Sequence, residues 1–330
     1  MKQLNSHHHY YLLTMDGTLL IVTGASRGLG RAIGVAFASS PSTKYLCCLL
    51  VARSESGLEE TASLMREAAA AANKSKLDVS CMVADLSDMD TLEITAADMF
   101  ERVSKQGSST YDRAILINNA GSLGYLGKCS DMSSLTNVKK SIDFNVTSSS
   151  WISSQFVRKF SSTSSQTGNC ICVVVVNISS LCAIEPFSTM SVYCAGKAAR
   201  DLFHSVLAKE ASADVAANVR VLNYAPGMCE TAMSEELAES DRLDSELSSI
   251  YRTALSDKTM VQPNDTAEKH GESVGSTPKQ RNQHDTGNGQ DIHQREHEDP
   301  IWVLTTQQFV NESQEQTQGI QKGENRASLP

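Results

Sequence analysis

Apolar runs of strand length alternate with helical patterns from about residue 18 to about residue 225. The runs predicted to be strands are Leu19–Thr23, Leu46–Val51, Val79–Ala84, Ala114–Ile117, Ile171–Ile178 and Val219–Asn223. The stretches predicted to be helices are Gly30–Ser39, Leu58–Ala72, Leu92–Ser104, Val138–Phe160 and Val192–Ala211. Strands that are apolar at successive positions belong to parallel sheets covered on both faces, and right-handed crossovers then favour a doubly wound sheet. The sequence therefore predicts a single-domain α/β protein of the Rossmann type.

Composition divides the 330-residue chain into three parts. Residues 18–269 form the predicted domain. Residues 1–17, which include the run His7–His9, form a flexible extension in which nothing nearby completes a metal site. From residue 262 the chain is rich in Gln, Glu, Asn, Ser, Thr, Lys and His, and within it Ile301–Leu304 alone resembles an apolar strand. Such a segment buries too little apolar surface to offset its ordering entropy, so residues 270–330 are expected to be a disordered polar tail.

Charge, hydropathy and cysteine usage exclude several classes of protein. The net charge is −9 and the basic residues are scattered, which disfavours a nucleic-acid partner. No apolar run reaches 18 residues, so no membrane span is expected, and the N-terminus lacks the pattern of a secretory signal. The nine cysteines are odd in number and lack zinc-site spacing. They indicate reduced thiols, no metal and a cytoplasmic location.

A glycine-rich segment joins the first predicted strand to the first predicted helix, and it reads Thr-Gly-Ala-Ser-Arg-Gly-Leu-Gly over residues 23–30. Glycines allow a tight turn and a close approach of the backbone to a pyrophosphate, while the helix N-terminus supplies N–H donors. The residues predicted to bind a dinucleotide here are Gly24, Ala25, Ser26, Arg27, Gly28, Leu29 and Gly30. The alternative is a tight turn without a ligand, which the position between strand and helix disfavours.

The nature of the cofactor is indicated by two arginines. Arg53 follows the second strand, where enzymes that use NAD usually place an acid for the ribose 2′-hydroxyl, and Arg27 lies in the glycine-rich segment. Two guanidinium groups pair well with a 2′-phosphate, which predicts NADPH; the alternative is two solvated surface arginines. Asp85, followed by Leu86, closes the third strand. Its carboxylate can accept from the adenine amino group, or it can cap a helix.

The predicted catalytic residues follow the fifth strand. Tyr193 and Lys197 are four residues apart and share one face of a helix, and Ser180 precedes Tyr193 by thirteen residues. A lysine ammonium beside a phenol stabilises the phenolate and is expected to lower the tyrosine pKa. Tyr193 can then give its proton to a carbonyl oxygen as a hydride arrives, while Ser180 donates to the same oxygen. An ordinary helix-surface contact is the alternative, and the accompanying glycine-rich segment disfavours it.

These motifs together resemble the short-chain dehydrogenase/reductase family. The shared motifs are Thr-Gly-x-x-x-Gly-x-Gly, the Asn-Asn-Ala-Gly of residues 118–121, Ser…Tyr-x-x-x-Lys and Pro226-Gly227, in family order and spacing. The resemblance implies that Asn145 holds a water that relays protons to the lysine; the alternative is a helix-interior amide bonded to a backbone carbonyl. Asn119 is expected to line the floor under the adenine ribose, in a motif that is more structural than catalytic.

Longer stretches, at residues 116–124, 176–187, 193–201 and 218–227, resemble the sepiapterin reductase subfamily. This resemblance implies a homodimeric cytosolic enzyme that reduces the side-chain ketones of sepiapterin and 6-pyruvoyl-tetrahydropterin with NADPH. It implies cofactor contacts from Ser54 and from Thr231, within the covering segment Cys229–Ser234. The implied substrate contacts are Ser180, Leu181, Gly227 and Met233.

Two departures from the subfamily keep other functions open. Met190 stands where members often carry a pocket tryptophan, and Met fills gaps well. The sequence after residue 269 offers no counterpart of the last sheet strand or of the near-terminal aspartate that the resemblance implies as a pterin anchor. The alternatives are therefore a broad carbonyl or diketone reductase, and an inactive cofactor-binding isoform with an altered C-terminus.

Overall fold

The computed structural model describes residues 17–41, 43–74, 76–106, 111–167, 171–213 and 218–267. The strands are β1 Gly17–Thr23, β2 Tyr45–Ala52, β3 Lys76–Val83, β4 Arg113–Asn118, β5 Cys172–Ile178 and β6 Val219–Tyr224. The helices are α1 Gly28–Ser39, α2 Glu55–Ala71, α3 Leu92–Gln106, α4 Leu135–Ile142, α5 Ser148–Thr167, α6 Ser191–Ala213, α7 Ala232–Glu239 and α8 Ser245–Ser256. The expected N-terminal extension, apart from Gly17, and the expected polar tail lie outside the described residues.

The six strands of the described residues are parallel and form one sheet in the order β3-β2-β1-β4-β5-β6. The strand order reverses between β1 and β4, so the crevice at the carboxyl ends of these two strands is the topological switch point. The prediction of a doubly wound Rossmann sheet is confirmed.

The two faces of the sheet pack against separate hydrophobic layers. In β1, Leu20 and Val22 face a layer built with α1 and α2, whereas Leu19 and Ile21 face a layer built with α3 and α5. Because successive side chains of a strand point to opposite faces, a strand covered on both faces is apolar at every position. This explains the uninterrupted apolar runs in the sequence.

The predicted helix Val138–Phe160 is wrong as a single regular element. The chain forms α4, then a five-residue π-helical turn at Asp143–Thr147, and then α5. A π turn holds one more residue than an α turn and is common at functional sites. Here it contains the buried Asn145.

Two helices beyond β6 were not predicted. α7 begins with a capping box between Thr231 and Ser234. Asp244 is the N-cap of α8, and its carboxylate accepts from the backbone N–H groups of Glu246 and Leu247. Capping residues of these types mark helix starts, so Thr231 and Asp244 were the available signals.

Candidate active site

The predicted site residues meet at the carboxyl edge of the sheet. The glycine-rich segment follows β1, Arg53 follows β2, Asp85 follows β3, Asn119 follows β4 and Ser180 follows β5. The carboxyl ends of parallel strands share one edge, and ligands of open α/β sheets bind in the crevice beyond it.

Each glycine of the segment after β1 has its own steric reason. Gly24 and Gly28 have φ angles of 67° and 55°, in the left-handed region. Gly30 has a regular helical backbone, but a Cβ there would lie 2.4 Å from the carbonyl oxygen of Gly24. Arg27, at the N-cap of α1, makes no side-chain capping hydrogen bond. The first-turn N–H groups of α1 therefore lack a side-chain cap, and the segment fits a pyrophosphate.

The helix α2 braces this segment from behind. The hydroxyl of Thr61 on α2 donates to the carbonyl oxygen of Ala25 at 2.9 Å. Arg31 on α1, which donates to Thr61 and Glu60 of α2, also donates to the carbonyl oxygen of Ser26 at 2.7 Å. A Cβ at Gly57 would lie 2.8 Å from the carbonyl oxygen of Ser26, which shows how closely the two elements approach. The shape of the segment is thus fixed by the protein itself.

Among the residues predicted to contact adenosine, some are exposed and others already have contacts within the protein. Arg27 and Arg53 are exposed. Ser54 caps α2 by accepting from Gly57 N, so its hydroxyl already has a structural task. Leu86, which was predicted to contact the cofactor, is buried in the layer with α3.

Asp85 forms a turn rather than capping a helix. Its Oδ1 atom accepts from the backbone N–H and the hydroxyl of Ser87, and α3 begins only at Leu92. Burial alone would raise the pKa of this carboxyl, but the two Ser87 bonds and nearby Arg53 lower it below its usual value. The helix-cap alternative for Asp85 is therefore wrong, and Arg53 lies close enough to act on its charge.

The side chain of Asn119 forms hydrogen bonds within the protein. Its amide nitrogen donates to the carbonyl oxygens of Thr23 and Gly24, at 3.0 and 3.1 Å. The side chain therefore ties the end of β4 to the glycine-rich segment, in keeping with the structural role expected of its motif.

Tyr193, Lys197 and Ser180 lie together, with Tyr193 and Lys197 on one face of α6. The ammonium of Lys197 donates to the carbonyl oxygen of Ile178 at 2.7 Å and lies 5.6 Å from the ring centroid of Tyr193. The hydroxyl oxygen of Ser180 accepts from Cys182 N at 3.2 Å. A hydroxyl that accepts in this way keeps its own proton for donation.

The expected lowering of the tyrosine pKa is wrong, because the pKa of Tyr193 is raised. Burial raises the pKa of Tyr193, nearby Cys182 and Tyr251 add to the rise, and the hydrogen bond with Ser180 opposes it. Burial also lowers the pKa of Lys197 to about 7, with Arg200 as the next cause. Desolvation disfavours the charged form of both groups, and it is the largest cause of both pKa shifts.

Asn145 lies on the π turn beside this group. Its Oδ1 accepts from Ser122 N at 2.9 Å, and its Nδ2 donates to the Ser122 carbonyl oxygen at 3.0 Å. A Cβ at Gly196 would lie 3.4 Å from the Asn145 Cβ, so α6 packs against the asparagine between Tyr193 and Lys197. The alternative for Asn145, an amide bonded to a backbone carbonyl, is correct for Nδ2, although the acceptor lies in another segment.

A third hydrophobic cluster covers the catalytic group. Its buried members are Leu123, Leu126, Cys182, Met190, Tyr193, Leu237 and Leu243, with Phe187, Cys194, Met233, Leu247 and Tyr251 packed against them. The residues from α8 were not identified from the sequence, because α8 itself was not predicted. A cleft of about 450 Å³ opens next to Leu126, between the segment after β4, α4 and α7.

Some of the predicted substrate contacts belong to this third cluster, called the apolar wall below, or lie next to it. Met233, on α7, approaches the hydroxyl of Tyr193, and Leu181 lies in a short 3₁₀ turn directly after Ser180. Gly227 is exposed, with a φ of 79°. Thr231 lies over the glycine-rich segment, because a Cβ at Gly28 would be 3.4 Å from its methyl group.

The fold and this site define a class of enzyme. The family model for short chain dehydrogenases matches residues 18–242, and the chain belongs to that family. It is an oxidoreductase that acts on carbonyl or hydroxyl groups with a nicotinamide cofactor.

Individual relatives refine the comparison. The chain is 34% identical to the sepiapterin reductase of Rattus norvegicus over 254 residues, which is 76% of this chain and 88% of the relative. It is 28% identical to a benzil reductase of Bacillus subtilis, over 68% of this chain and 80% of the relative. The crystal structure of an NAD⁺-bound xylitol dehydrogenase has a TM-score of 0.62 at 16% identity and covers 80% of this chain and 94% of that one. The resemblance to sepiapterin reductases is confirmed.

None of the helices described is long and apolar enough to cross a membrane. Within the described ranges, no group of three or more His, Cys, Asp or Glu side chains could hold a metal ion.

Proposed function

We propose that this enzyme uses NADPH to reduce the side-chain ketones of sepiapterin and 6-pyruvoyl-tetrahydropterin, the final step in making tetrahydrobiopterin. The observation that carries the proposal is the grouping of Ser180, Tyr193 and Lys197 under an apolar wall, in a chain 34% identical to a sepiapterin reductase. The apolar wall suits a substrate whose ketone must be shielded from water while it reacts.

The glycine-rich segment and the two arginines would hold the cofactor. Gly24–Gly30 presents the N-terminus of α1 to the pyrophosphate, and Arg27 and Arg53 are exposed where a 2′-phosphate would be bound. Two guanidinium groups would gain little from a 2′-hydroxyl, so the pair favours NADPH over NADH. When bound, the reduced nicotinamide supplies a hydride to the carbonyl carbon.

The side chains supply the proton and hold the ketone. Ser180, whose hydroxyl proton is free to donate, polarises the carbonyl oxygen, and Tyr193 gives that oxygen its proton. Burial raises the pKa of Tyr193, so the phenol is protonated at neutral pH and holds the proton that the ketone oxygen takes up. Lys197, with a pKa of about 7, can pass on a proton near neutrality, and it would also hold the nicotinamide ribose. Asn145 completes the relay.

The same scaffold supports a second candidate, a broad carbonyl or diketone reductase. The benzil reductase relative favours it, and so does the mainly apolar wall, which lacks a buried acid for a pterin ring among its members. An inactive isoform is disfavoured because the Ser-Tyr-Lys grouping is intact.

Steady-state oxidation of NADPH by the purified protein distinguishes these functions. Sepiapterin and benzil serve as matched substrates, NADH replaces NADPH in a parallel series, and Tyr193→Phe is the inactive control. We expect kcat/KM to be higher for sepiapterin than for benzil. A higher value for benzil would favour the second candidate, and no turnover of either would contradict the proposal.

A homodimer in the cytoplasm is part of the proposal. Leu202 and Val206 lie one turn apart on α6 and are 68% and 48% exposed, which suits a helix face covered by a second copy. The eight cysteines in the described ranges are free, as expected in a reducing compartment. Light scattering should give the mass of a dimer, and Leu202→Glu should give a monomer; a wild-type monomer would contradict this part.

A further inference from the structure

Arg200 lies three residues after Lys197 on α6 and is fully buried. Its Nε donates to Asn177 Oδ1 at 2.8 Å, and its two terminal nitrogens donate to the carbonyl oxygens of Ala120 at 2.9 Å and Asn118 at 2.7 Å. All three acceptors are neutral. Burying a guanidinium is costly, so a buried arginine bonded only through neutral acceptors calls for a reason beyond packing.

The first consequence of these bonds is the position of Asn145. Arg200 holds the carbonyl groups of Asn118 and Ala120, and the next two residues lead to Ser122, whose backbone binds both amide atoms of Asn145. A Cβ at Gly121 would lie 3.1 Å from Asn145 Oδ1 and 3.7 Å from a terminal nitrogen of Arg200. The guanidinium and the amide thus flank the same glycine. Movement of one would displace the segment that holds the other.

The second consequence concerns the end of β5. Asn177, which accepts from Arg200, also donates to the carboxylate of Asp201 at 2.9 Å, and Ser179 donates to the same carboxylate. Between Asn177 and Ser179 lies Ile178, whose carbonyl oxygen accepts from Lys197. Arg200 and Asp201 therefore fix the strand end that orients Lys197 and leads into Ser180.

We propose that Arg200 is a positioning residue of the reaction, which aligns Asn145 through the segment after β4 and places a fixed positive charge beside Lys197. The proposal rests on the proton-relay roles of Lys197 and Asn145 under the proposed function. It does not depend on which ketone is the substrate.

The charge acts on Lys197 together with its other neighbours. The titratable groups that act on its ammonium are Arg200 and Asp201 on α6 and Cys182 on the 3₁₀ turn, and Tyr193 lies one helical turn before it. After burial, Arg200 is the largest cause that lowers the pKa of Lys197, whereas Asp201 and Cys182 raise it. Replacing Arg200 by a neutral side chain should therefore raise the lysine pKa.

Three variants separate alignment, charge and general stability. Arg200→Gln removes the charge and most of the donors, whereas Arg200→Lys keeps the charge but loses the planar fork. Ser153→Ala is the matched control. It removes a hydroxyl that accepts from Asn118 Nδ2 at 2.5 Å in the same buried network, without changing charge. For each variant we would measure the NADPH Kd, kcat and KM, and the pH profile of kcat.

We expect Arg200→Gln to lower kcat about 100-fold, the scale of a small misalignment of reacting groups, with NADPH Kd within about threefold of wild type. If protonated Lys197 is needed, kcat falls as pH rises through its pKa, so this alkaline limb should move to higher pH in Arg200→Gln. Arg200→Lys and Ser153→Ala should keep the wild-type limb. Unchanged kcat and limb in a folded Arg200→Gln would overturn the proposal.

The pH dependence of stability, measured without cofactor, tests the charge role if Arg200→Gln turns over too slowly or if the wild type reduces no tested carbonyl. In the wild type, Lys197 loses its proton near pH 7 when folded but keeps it to its ordinary value of 10.5 when unfolded. The unfolded state then binds more protons above pH 7, so stability rises with pH. This rise should begin at higher pH in Arg200→Gln, and an identical rise would overturn the charge role. Should Arg200→Gln not fold, a wild-type kcat in Arg200→Lys would overturn the alignment role.

Discussion

The hydroxyl of Tyr193 points at the sulfur of Met233, 3.9 Å away. A thioether is a weak acceptor, so a ketone oxygen can replace it as the partner of the phenol. Met233 thus lies where it can contact the substrate beside the reacting carbonyl. It comes from α7, the helix that also closes over the glycine-rich segment through Thr231.

Met233→Ala should raise the KM for the ketone about tenfold, since apolar groups in a substrate pocket contribute on this scale. The Kd for NADPH should stay unchanged. Met233→Leu, which conserves volume, should remain within about threefold of wild type. Initial-rate kinetics with a fluorescence titration of NADPH would check this, and equal KM values in Met233→Ala and wild type would remove Met233 from the substrate site.

Tyr193→Phe should bind NADPH normally and lose about 100- to 10,000-fold in kcat, because a positioned acid contributes on that scale. The ring stays in its apolar cluster, so the fold should be unaffected. Single-turnover measurements at saturating NADPH would test the loss. Retention of more than about a tenth of the wild-type rate would show that another group is the acid.

Arg53→Asp should move the preference from NADPH towards NADH. The change removes a partner of the 2′-phosphate and supplies an acceptor for a 2′-hydroxyl. It also places a carboxylate near Asp85, whose low pKa depends in part on Arg53. The ratio of kcat/KM values for the two cofactors is the measurement, with Arg53→Lys as the charge-conserving control. If the ratio stayed at its wild-type value, Arg53 would be an ordinary surface residue.

The low pKa of His204 should make the stability of the protein depend on pH. Its Nδ1 bonds the carbonyl oxygen of Arg200, so Nε2 accepts from the hydroxyl of Ser153 and the ring is neutral. Burial lowers its pKa from 6.5 to about 4, so the unfolded chain binds more protons between these values. The contribution of His204 to the free energy of unfolding is therefore complete above pH 6.5 and is lost as the pH falls towards 4.

The pKa difference corresponds to roughly 3 kcal/mol. Between pH 7 and pH 4, the wild type should lose about that much more free energy of unfolding than His204→Gln. Urea denaturation at several pH values would measure both curves. Parallel curves would show that His204 does not resist protonation.

The sheet and the residues of the two motifs were predictable because each has a local signature. Buried parallel strands are continuous apolar runs, the glycine-rich segment requires glycine at Gly24 and Gly28, and Tyr193 and Lys197 share a face by helical geometry. None of these depends on a distant part of the chain.

The remaining features depend on tertiary contacts that a sequence pattern does not contain. In the sequence, Arg200 resembles any other charged residue of a helix. Only the fold brings its guanidinium to three acceptors near the ends of β4 and β5. The rise in the Tyr193 pKa comes mainly from burial in a cluster to which α7 and α8 contribute, and the polar sequence of that stretch did not predict these two helices. Lys197 does lie near Tyr193, as predicted, but burial is the largest influence on the pKa of the phenol and raises it.

In the π turn Asp143–Thr147, the number of residues matters as much as their identity. Each residue of an α-helix turns the next by about 100°, so deleting one residue here would restore a regular helix and rotate everything before it relative to α5. Asn145 could then not face Ser122 while Phe156 and Phe160 remained in the core. Length variation should therefore be tolerated in the surface loops and excluded from these five positions.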